Sequence, residues 1–450
     1  MGLIIAFVIF IGTMIAMLIT GHSMVWALLA GLVMFAGLGL VKLKKSDEAL
    51  GIGQGIRELA LHSWGSIKES LIVIEVMLII GFITAAWRVS GTITVFVYYG
   101  MKLIVPPLFL VIAFLLSCLL SYALGTSFGV AGTVGVIFMA LARSGGVDPV
   151  ITAGVLMSGI YFGDRGSPVS SSANMVAGIT KTNILENVRI MMKTAILPFI
   201  ITLAAYTALS VANPISSVDG GVLSAFESEF TLSFWSFVPA AIMLALPLLK
   251  VGIIASIGAS VAASVAVAVL VEKVSLFSVI KILFLGFHSS GEGLATILDG
   301  GGFVSMLEIS AILAISCAYS GIFNRTDMLK SLLDVIEKGC RKTGRYAVTV
   351  IISLISCVVF CNQTIATLMC NDLLTRPYLN TGGSRQELAI DMENTVILIV
   401  GLIPWCIACS VPLTFFNAGI DSLPWAIYLY IVPICYFLTK RRWFNNRAGA

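Results

Sequence analysis

The sequence predicts an all-α fold, a polytopic bundle of about twelve transmembrane helices with broken or re-entrant segments and two structural repeats. Three observations carry that prediction. Of 450 residues, 58% are hydrophobic and 11% charged, whereas about a quarter of a soluble domain is charged. Apolar runs recur from end to end, for example at 2–20, 24–41, 105–124 and 346–361, each close to the roughly 17–25 residues that cross hydrocarbon as a helix. The alternation of a β-barrel strand is missing from them, and backbone amides inside lipid must be satisfied within the segment, so the runs read as helices. Residues 1–450 form one membrane domain on this reading.

From the N-terminus, the first run has no basic residue before it and gives way to a second at Met24. A cleaved signal peptide is therefore not expected, and the N-terminus is expected to be retained. Lys and Arg collect in cytoplasmic loops next to helix ends, so the net charge of +4 matters less than its placement. Basic clusters stand at Lys42, Lys44 and Lys45, at Lys181, Arg189 and Lys193, along 325–345, and at Lys440, Arg441 and Arg442. The segment 213–230 carries Asp219, Glu227 and Glu229 without a basic residue and reads as exterior. Both termini then fall on the cytoplasmic side. The basic stretch 324–345 is a cytoplasmic loop, with a first half at 1–212 and a second at 231–450.

Two apolar segments are interrupted by polar, glycine-rich stretches too short for loops, at 125–135 and 163–174. Irregular backbone at membrane depth survives where it is buried in protein or lines a wet cavity, so these breaks point to an ion or solute path. The plan recurs faintly. Ser117-Cys118 and Ser356-Cys357 are separated by 356 − 117 = 239 residues, and Pro168 and Pro404 by 404 − 168 = 236. Polar breaks follow in both halves, Gly125-Thr126-Ser127 and Asn362-Gln363-Thr364. Whether the repeats are parallel or inverted stays open at this level.

An ionisable side chain within an apolar segment is a functional candidate. Those present are Glu75, Arg88, Asp164, Arg165, Glu308, Asp391 and Glu393, with His288 and Glu292 in a stretch that could be re-entrant. Asp164 stands in Gly163-Asp164-Arg165-Gly166-Ser167-Pro168, ahead of Ser170, Ser171, Ser172 and Asn174. One carboxylate among many oxygens at a helix break suits a hard cation, with a proton as competitor. The alternative is a structural Asp164–Arg165 pair. Glu393-Asn394-Thr395 is read as the corresponding place in the second half, against a carboxylate snorkelling to water beside Arg385. Arg88 could hold the carboxylate of an organic substrate, pair with Glu75, or anchor at the interface. Thr126, Ser127, Asn362, Gln363 and Thr364 could strip a hydration shell or bridge helices. The nine cysteines lie mostly in apolar runs and imply no disulfide framework. Cys357, Cys361, Cys406 and Cys409 could meet around a metal, with no histidine nearby in sequence.

These motifs together resemble the NhaC family of sodium/proton antiporters. The similar stretches are Ala86-Trp87-Arg88-Val89-Ser90-Gly91-Thr92, Tyr98-Tyr99-Gly100, Gly125-Thr126-Ser127 and Tyr161 through Pro168. In the second half they are Asp299-Gly300-Gly301-Gly302-Phe303-Val304-Ser305-Met306, then Asp391-Met392-Glu393-Asn394-Thr395 ahead of Leu402-Ile403-Pro404-Trp405. The resemblance implies a secondary transporter exchanging Na⁺ or H⁺, in some members an organic solute, across a bacterial or archaeal cytoplasmic (inner) membrane by alternating access. The residues singled out for ion or solute contact are Asp164, Ser167, Ser171, Asn174, Thr126, Ser127, Asn362, Thr364, Glu393, Asn394, Thr395 and Arg88, with Asp164 and Glu393 able to hold a bound Na⁺. Expected partners are Na⁺ and/or H⁺, a small organic solute, the lipid bilayer and a second copy as a homodimer; no other cofactor is expected. The family usually places an Asp where Ser171 stands, and Glu-Asp-Ser where this chain has Glu393-Asn394-Thr395. Two missing carboxylates, with Arg88 and Arg165 added, suggest an anionic or zwitterionic solute with ion coupling kept by Asp164 or Glu393. A channel would need a continuous polar lining. An enzyme would need a nucleophile with its base, a metal set or a nucleotide motif, and none is evident. The short basic clusters read as juxtamembrane anchors rather than a nucleic-acid surface.

Overall fold

The computed structural model describes residues 2–46, 51–69, 71–103, 106–214, 220–249, 251–289, 294–295, 298–326 and 333–440. Their regular structure is helical, with one isolated β-bridge between Phe287 and Gly300. Helices α1 (Gly2–Thr20), α2 (Met24–Ser46), α3 (Ile52–Glu69), α4 (Leu71–Val89) and α5 (Thr92–Leu103) open the chain. Between α4 and α5 Gly91 takes φ +65°, and the two axes meet at 62°.

Next come α6 (Phe109–Leu124), α7 (Ser127–Ser144), α8 (Pro149–Gly166), α9 (Ser171–Thr180) and α10 (Ile184–Ala212). Then follow α11 (Gly220–Glu229), α12 (Val238–Leu248), α13 (Ile253–Leu270), α14 (Leu276–Leu285), α15 (Leu307–Thr326) and α16 (Leu333–Thr343). Finally α17 (Arg345–Phe360), α18 (Gln363–Asn380), α19 (Arg385–Leu402), α20 (Ile407–Phe416) and α21 (Ile427–Thr439) complete it.

Two of these connections are sharp reversals with the same local chemistry. α6 stops because Gly125 enters the left-handed region at φ +65°, and α7 starts because the Thr126 hydroxyl accepts from Gly129 N at 3.3 Å. α17 stops at Cys361, left-handed at φ 54°, and Asn362 caps α18 by accepting from Thr364 N at 2.8 Å and Ile365 N at 3.3 Å. A left-handed residue closes a helix, and a small polar side chain opens the next. The paired features keep one spacing: 361 − 125, 362 − 126, 385 − 149 for the starts of α8 and α19, and 407 − 171 for those of α9 and α20 are each 236.

Helix α10 acts as a ruler. Near its start Glu186 accepts from Gln386 at 3.3 Å, at the head of α19, and near its end Ser210 Oγ accepts from Leu110 N at 3.1 Å, at the head of α6. At about 1.5 Å per residue those contacts are roughly 36 Å apart. Arg345, at the head of α17, pairs with Glu387 at 3.1 Å, so α17 starts from the α19 end and α6 from the opposite one. Both reversals then meet in the interior. A Cβ on Gly125 would lie 2.6 Å from Val169 C, and Ile407 N donates to Cys361 O at 3.0 Å.

Four helices are individually long and apolar enough to cross a membrane, and two bent pairs, α4 with α5 and α19 with α20, could each form one more span. The exterior segment predicted at 213–230 contains α11, and the loop predicted at 324–345 contains α16, with 215–219 and 327–332 outside the described residues. Glu292 also lies outside them.

Candidate functional site

The broken helices exist because the sequence cannot continue them. After Gly166 the run Ser167-Pro168-Val169-Ser170 leaves helical geometry, and Ser170 Oγ then caps α9 by accepting from Ser172 N at 3.2 Å and Ala173 N at 3.3 Å. The close approach of α6 to α8 is set by glycine. A Cβ on Gly163 would come 2.0 Å from Ser121 C and 2.1 Å from Tyr122 N, so only a residue without one lets the last turn of α8 lie on α6.

That last turn presents Asp164, which is buried. Its Oδ1 accepts from Ser172 Oγ at 3.0 Å and, weakly, from Ser170 Oγ at 3.4 Å; its Oδ2 accepts from Gln363 Nε2 at 3.0 Å. Ser127 lies near enough to act on the same carboxylate. Each of these side chains sits on the cap or in the first turn of a helix: Ser127 on α7, Ser170 and Ser172 on α9, Gln363 on α18. Three helix N-termini therefore converge on one carboxylate. Their exposed amides and dipoles favour negative charge there, and the donors satisfy it without cancelling it, since all are neutral.

Arg165 points elsewhere. Its guanidinium donates to Tyr428 Oη at 3.0 Å, to Met191 O at 3.0 Å and to Thr194 Oγ1 at 2.9 Å, and Nε has no partner among the described residues. The expected Asp164–Arg165 pair is not formed, because consecutive helical residues project about 100° apart. Ser167 turns its hydroxyl to Tyr122 O at 2.6 Å, while Ser171 and Asn174 are exposed, with Asn174 bonded to Pro168 O at 2.9 Å. Of the residues predicted at this break, Asp164 is in place, and Ser170 and Ser172 replace Ser167, Ser171 and Asn174 around it.

In the second half, the constant spacing sets Val400 rather than Glu393 opposite Asp164, since 400 − 164 = 236. Glu393 lies about two turns earlier, and it is fully buried rather than snorkelling beside Arg385. Both of its carboxylate oxygens and both polar atoms of Asn394 lack a partner among the described residues. Asp164 and Arg165 are within electrostatic reach of Glu393. An uncompensated carboxylate at such depth costs several kcal/mol. Thr395 is spent on bonding, donating to Asp391 O at 2.7 Å and accepting from Ser353 Oγ at 3.0 Å. Thr126 and Asn362 serve as helix caps, and Thr364 is exposed.

Arg88 is far from Glu75 in environment. Arg88 is buried, donates to Thr84 O at 2.6 Å and has an Nε without a partner among the described residues, whereas Glu75 is exposed and stands 13 residues earlier on α4. The charges acting on Arg88 are Asp299 and Arg143. Asp299 in turn takes His288 Nδ1 at 3.1 Å and Ser289 N at 2.8 Å. Glu308 is exposed and accepts from Ser23 at 2.5 Å. Cys357, Cys361, Cys406 and Cys409 are buried thiols, and no group of three or more His, Cys, Asp or Glu able to hold a metal occurs among the described residues.

A second charged group lies toward the start of α17. Asp391, fully buried, accepts from Lys440 Nζ, from Tyr378 Oη at 2.5 Å and from Tyr436 Oη at 2.9 Å; Glu387 takes Lys440 at 2.8 Å and Arg345 at 3.1 Å. Two carboxylates face two cations, so this group balances itself. The lone signal for it in the sequence was Asp391 in an apolar context, because Lys440 lies 49 residues away. A small cleft opens against Thr126, Phe128, Gly129 and Thr133 of the α6–α7 reversal and is lined on its other sides by Val76, Ile80 and Ile83 of α4, Met243 and Ile257.

Residues 159–439 match the model of the Na⁺/H⁺ antiporter family. Over 384 residues the chain is 26% identical to the Na⁺/H⁺ antiporter NhaC of Alkalihalophilus pseudofirmus, covering 83% of this chain and 82% of that protein. It is 23% identical over 361 residues to the malate-2H⁺/Na⁺-lactate antiporter of Bacillus subtilis, 79% of this chain and 77% of that one. The arginine/ornithine antiporter ArcD of Halobacterium salinarum is 25% identical over 343 residues, 70% of each.

Proposed function

The chain belongs to the Na⁺/H⁺ antiporter family and is a secondary membrane antiporter, and from that premise we propose that Asp164 is the group at which it exchanges Na⁺ for H⁺. The observation that carries this is the convergence of Ser127, Ser170, Ser172 and Gln363, from three helix starts, on one buried carboxylate. Hydroxyl and amide oxygens beside Asp164 supply the hard donors that Na⁺ takes on losing water. A proton on the carboxylate removes the charge that holds Na⁺, so the two ions compete.

The equal spacing of 236 residues and the opposite starting ends of α6 and α17 support two inverted repeats, each a hairpin followed by a broken helix. Each hairpin reaches the centre from its own end, which suits alternate opening to the two sides. By the placement of basic residues the α17 end is cytoplasmic, with both termini on that side, in a bacterial or archaeal inner membrane.

The test is exchange by the purified chain in proteoliposomes, read as Na⁺-driven proton movement. Asp164→Asn keeps the side-chain volume and removes the charge, and exchange should fall at least about tenfold, with loss of thermal stabilisation by Na⁺. Retention of both would overturn the assignment. A second reading, exchange of a small anionic or zwitterionic solute, is favoured by buried Arg88, whose Nε has no partner among the described residues, and by the malate/lactate and arginine/ornithine relatives. Counterflow of labelled malate, lactate, arginine or ornithine checks it, and no counterflow of any of them would set it aside.

A further inference from the structure

We propose that Arg88 and Asp299 bracket an α-amino acid, the guanidinium taking its carboxylate and the Asp299 carboxylate its ammonium group, which makes the organic solute a zwitterion. This deepens the reading of organic-solute exchange at Arg88 and rests on it. The site begins on one face of α4, where Gly81, Thr84 and Arg88, at i, i+3 and i+7, meet the segment Gly300-Gly301-Gly302. Gly302 N donates to Gly81 O at 2.9 Å. A Cβ on Gly301 would come 2.8 Å from Thr84 Oγ1 and from Ala85 N, so the segment lies directly on the helix there. The three glycines take φ +122°, +75° and +92°, a conformation that costs glycine little and other residues much. Two backbone hydrogen bonds between Phe287 and Gly300, at 3.0 and 2.9 Å, fix the first of them. At Gly300 the contact opens: among the described residues, a Cβ there would meet only Arg88 Nη2, at 3.9 Å.

The guanidinium at that opening is underused. Arg88 is 5% exposed, and its hydrogen-bond partner among the described residues is Thr84 O at 2.6 Å, with Nε buried and unbonded. A guanidinium stays charged and offers five N–H donors in a fork that matches a carboxylate. Donors left unmade in a buried place cost free energy that a bound carboxylate removes. Asp299 supplies the opposite charge in the residue before Gly300, about 3.8 Å away between Cα atoms. It does not close onto Arg88: no ion pair within 4.0 Å joins the two, and the Asp299 oxygens are held instead by Ser289 N at 2.8 Å and His288 Nδ1 at 3.1 Å. Each carboxylate oxygen has two lone pairs, so both can accept once more. A fixed cation and a fixed anion that stand close but unjoined suit a ligand with both charges on one carbon. A dicarboxylate would satisfy Arg88 and bring its second charge against Asp299. Ser289 also donates to Glu229 at 2.8 Å, at the end of α11, which sets the group toward the exterior end.

The experiment measures thermal stabilisation of the purified full chain in detergent by each of the twenty common α-amino acids and L-ornithine. For those that stabilise it, affinity is compared with that of the amide, which lacks the carboxylate charge, and of the 2-hydroxy acid, in which a hydroxyl replaces the ammonium. The unaltered chain should bind the amino acid at least about tenfold more tightly than either analogue, the scale of a charge-assisted hydrogen bond. In Arg88→Gln the preference over the amide should vanish and that over the hydroxy acid remain; in Asp299→Asn the reverse should hold. A purely structural role would weaken all three ligands alike and leave the ratios unchanged, which overturns the proposal. Ratios near one in the unaltered chain overturn it without any variant, as does the absence of stabilisation by every amino acid. Malate and lactate in the same assay separate the two claims. If either binds in a way that Arg88→Gln abolishes while no amino acid does, solute exchange at Arg88 stands and the zwitterion assignment falls; if none of these compounds binds, both fall.

Discussion

At the residue scale the geometry depends on one missing methyl group. Gly163 lets the turn carrying Asp164 touch the backbone of α6 at Ser121 and Tyr122, and Ser121 Oγ donates to Ile160 O across the same contact. Because the atoms in the way are backbone, no side chain can rotate aside. Gly163→Ala should therefore lower stability by about 1–3 kcal/mol, the usual range for overpacking, seen as a lower melting temperature in detergent, and should weaken exchange by moving Asp164. Gly166→Ala, whose Cβ would meet only Met192 Sδ at 3.5 Å, should be close to neutral. Asp164 was legible in the sequence because a carboxylate in an apolar run is costly and rare. Which serines serve it was not legible. Ser170, Ser171 and Ser172 are equivalent in composition, and only the direction in which α9 leaves its cap turns the first and third inward and the second outward. Glu393 was legible as an ionisable group in an apolar run, but its lack of a partner among the described residues needed coordinates.

At the element scale the two reversals show how far local rules reach. The polar break after each apolar run was visible, and so was the near-constant offset. The cap chemistry sharpened it to 236 residues, which moved the partner of Asp164 from Glu393 to Val400. The reason the sequence misplaced it is that charge is distributed unequally: the first half carries its carboxylate on the last turn of the broken helix, the second half carries one in mid-helix. Asn362 both caps α18 and aims Gln363 at Asp164, so Asn362→Ala should cost about 1 kcal/mol, the typical value for losing an N-cap. It should also reduce Na⁺-dependent stabilisation. Thr364→Ala, two residues on but exposed, should change neither by more than about 0.5 kcal/mol. Parallel melting curves with and without Na⁺ decide between them; equal effects of the two substitutions would mean that the α18 start is not part of the site.

At the scale of the whole molecule, hydrophobicity alone made the membrane assignment, since nothing but lipid or a very large core hides so much apolar surface. What sequence could not supply was direction, because a hairpin that enters and returns from one side has the same composition as a helix that crosses. Direction followed from long-range contacts, Leu110 with Ser210 at one end and Arg345 with Glu387 at the other. It also makes the arrangement testable without knowing the substrate. The connection after α7 contains exposed Asp148, and the last turn of α16, just before α17, contains exposed Lys342. The native cysteines are all buried, so a thiol introduced at either place reports on itself. Asp148→Cys should react with a membrane-impermeant maleimide in right-side-out vesicles and be protected in inverted ones, and Lys342→Cys should show the reverse. Labelling of both from the same side would require the two hairpins to enter the membrane from one face, and two parallel repeats would then replace the inverted pair that opens alternately to the two sides.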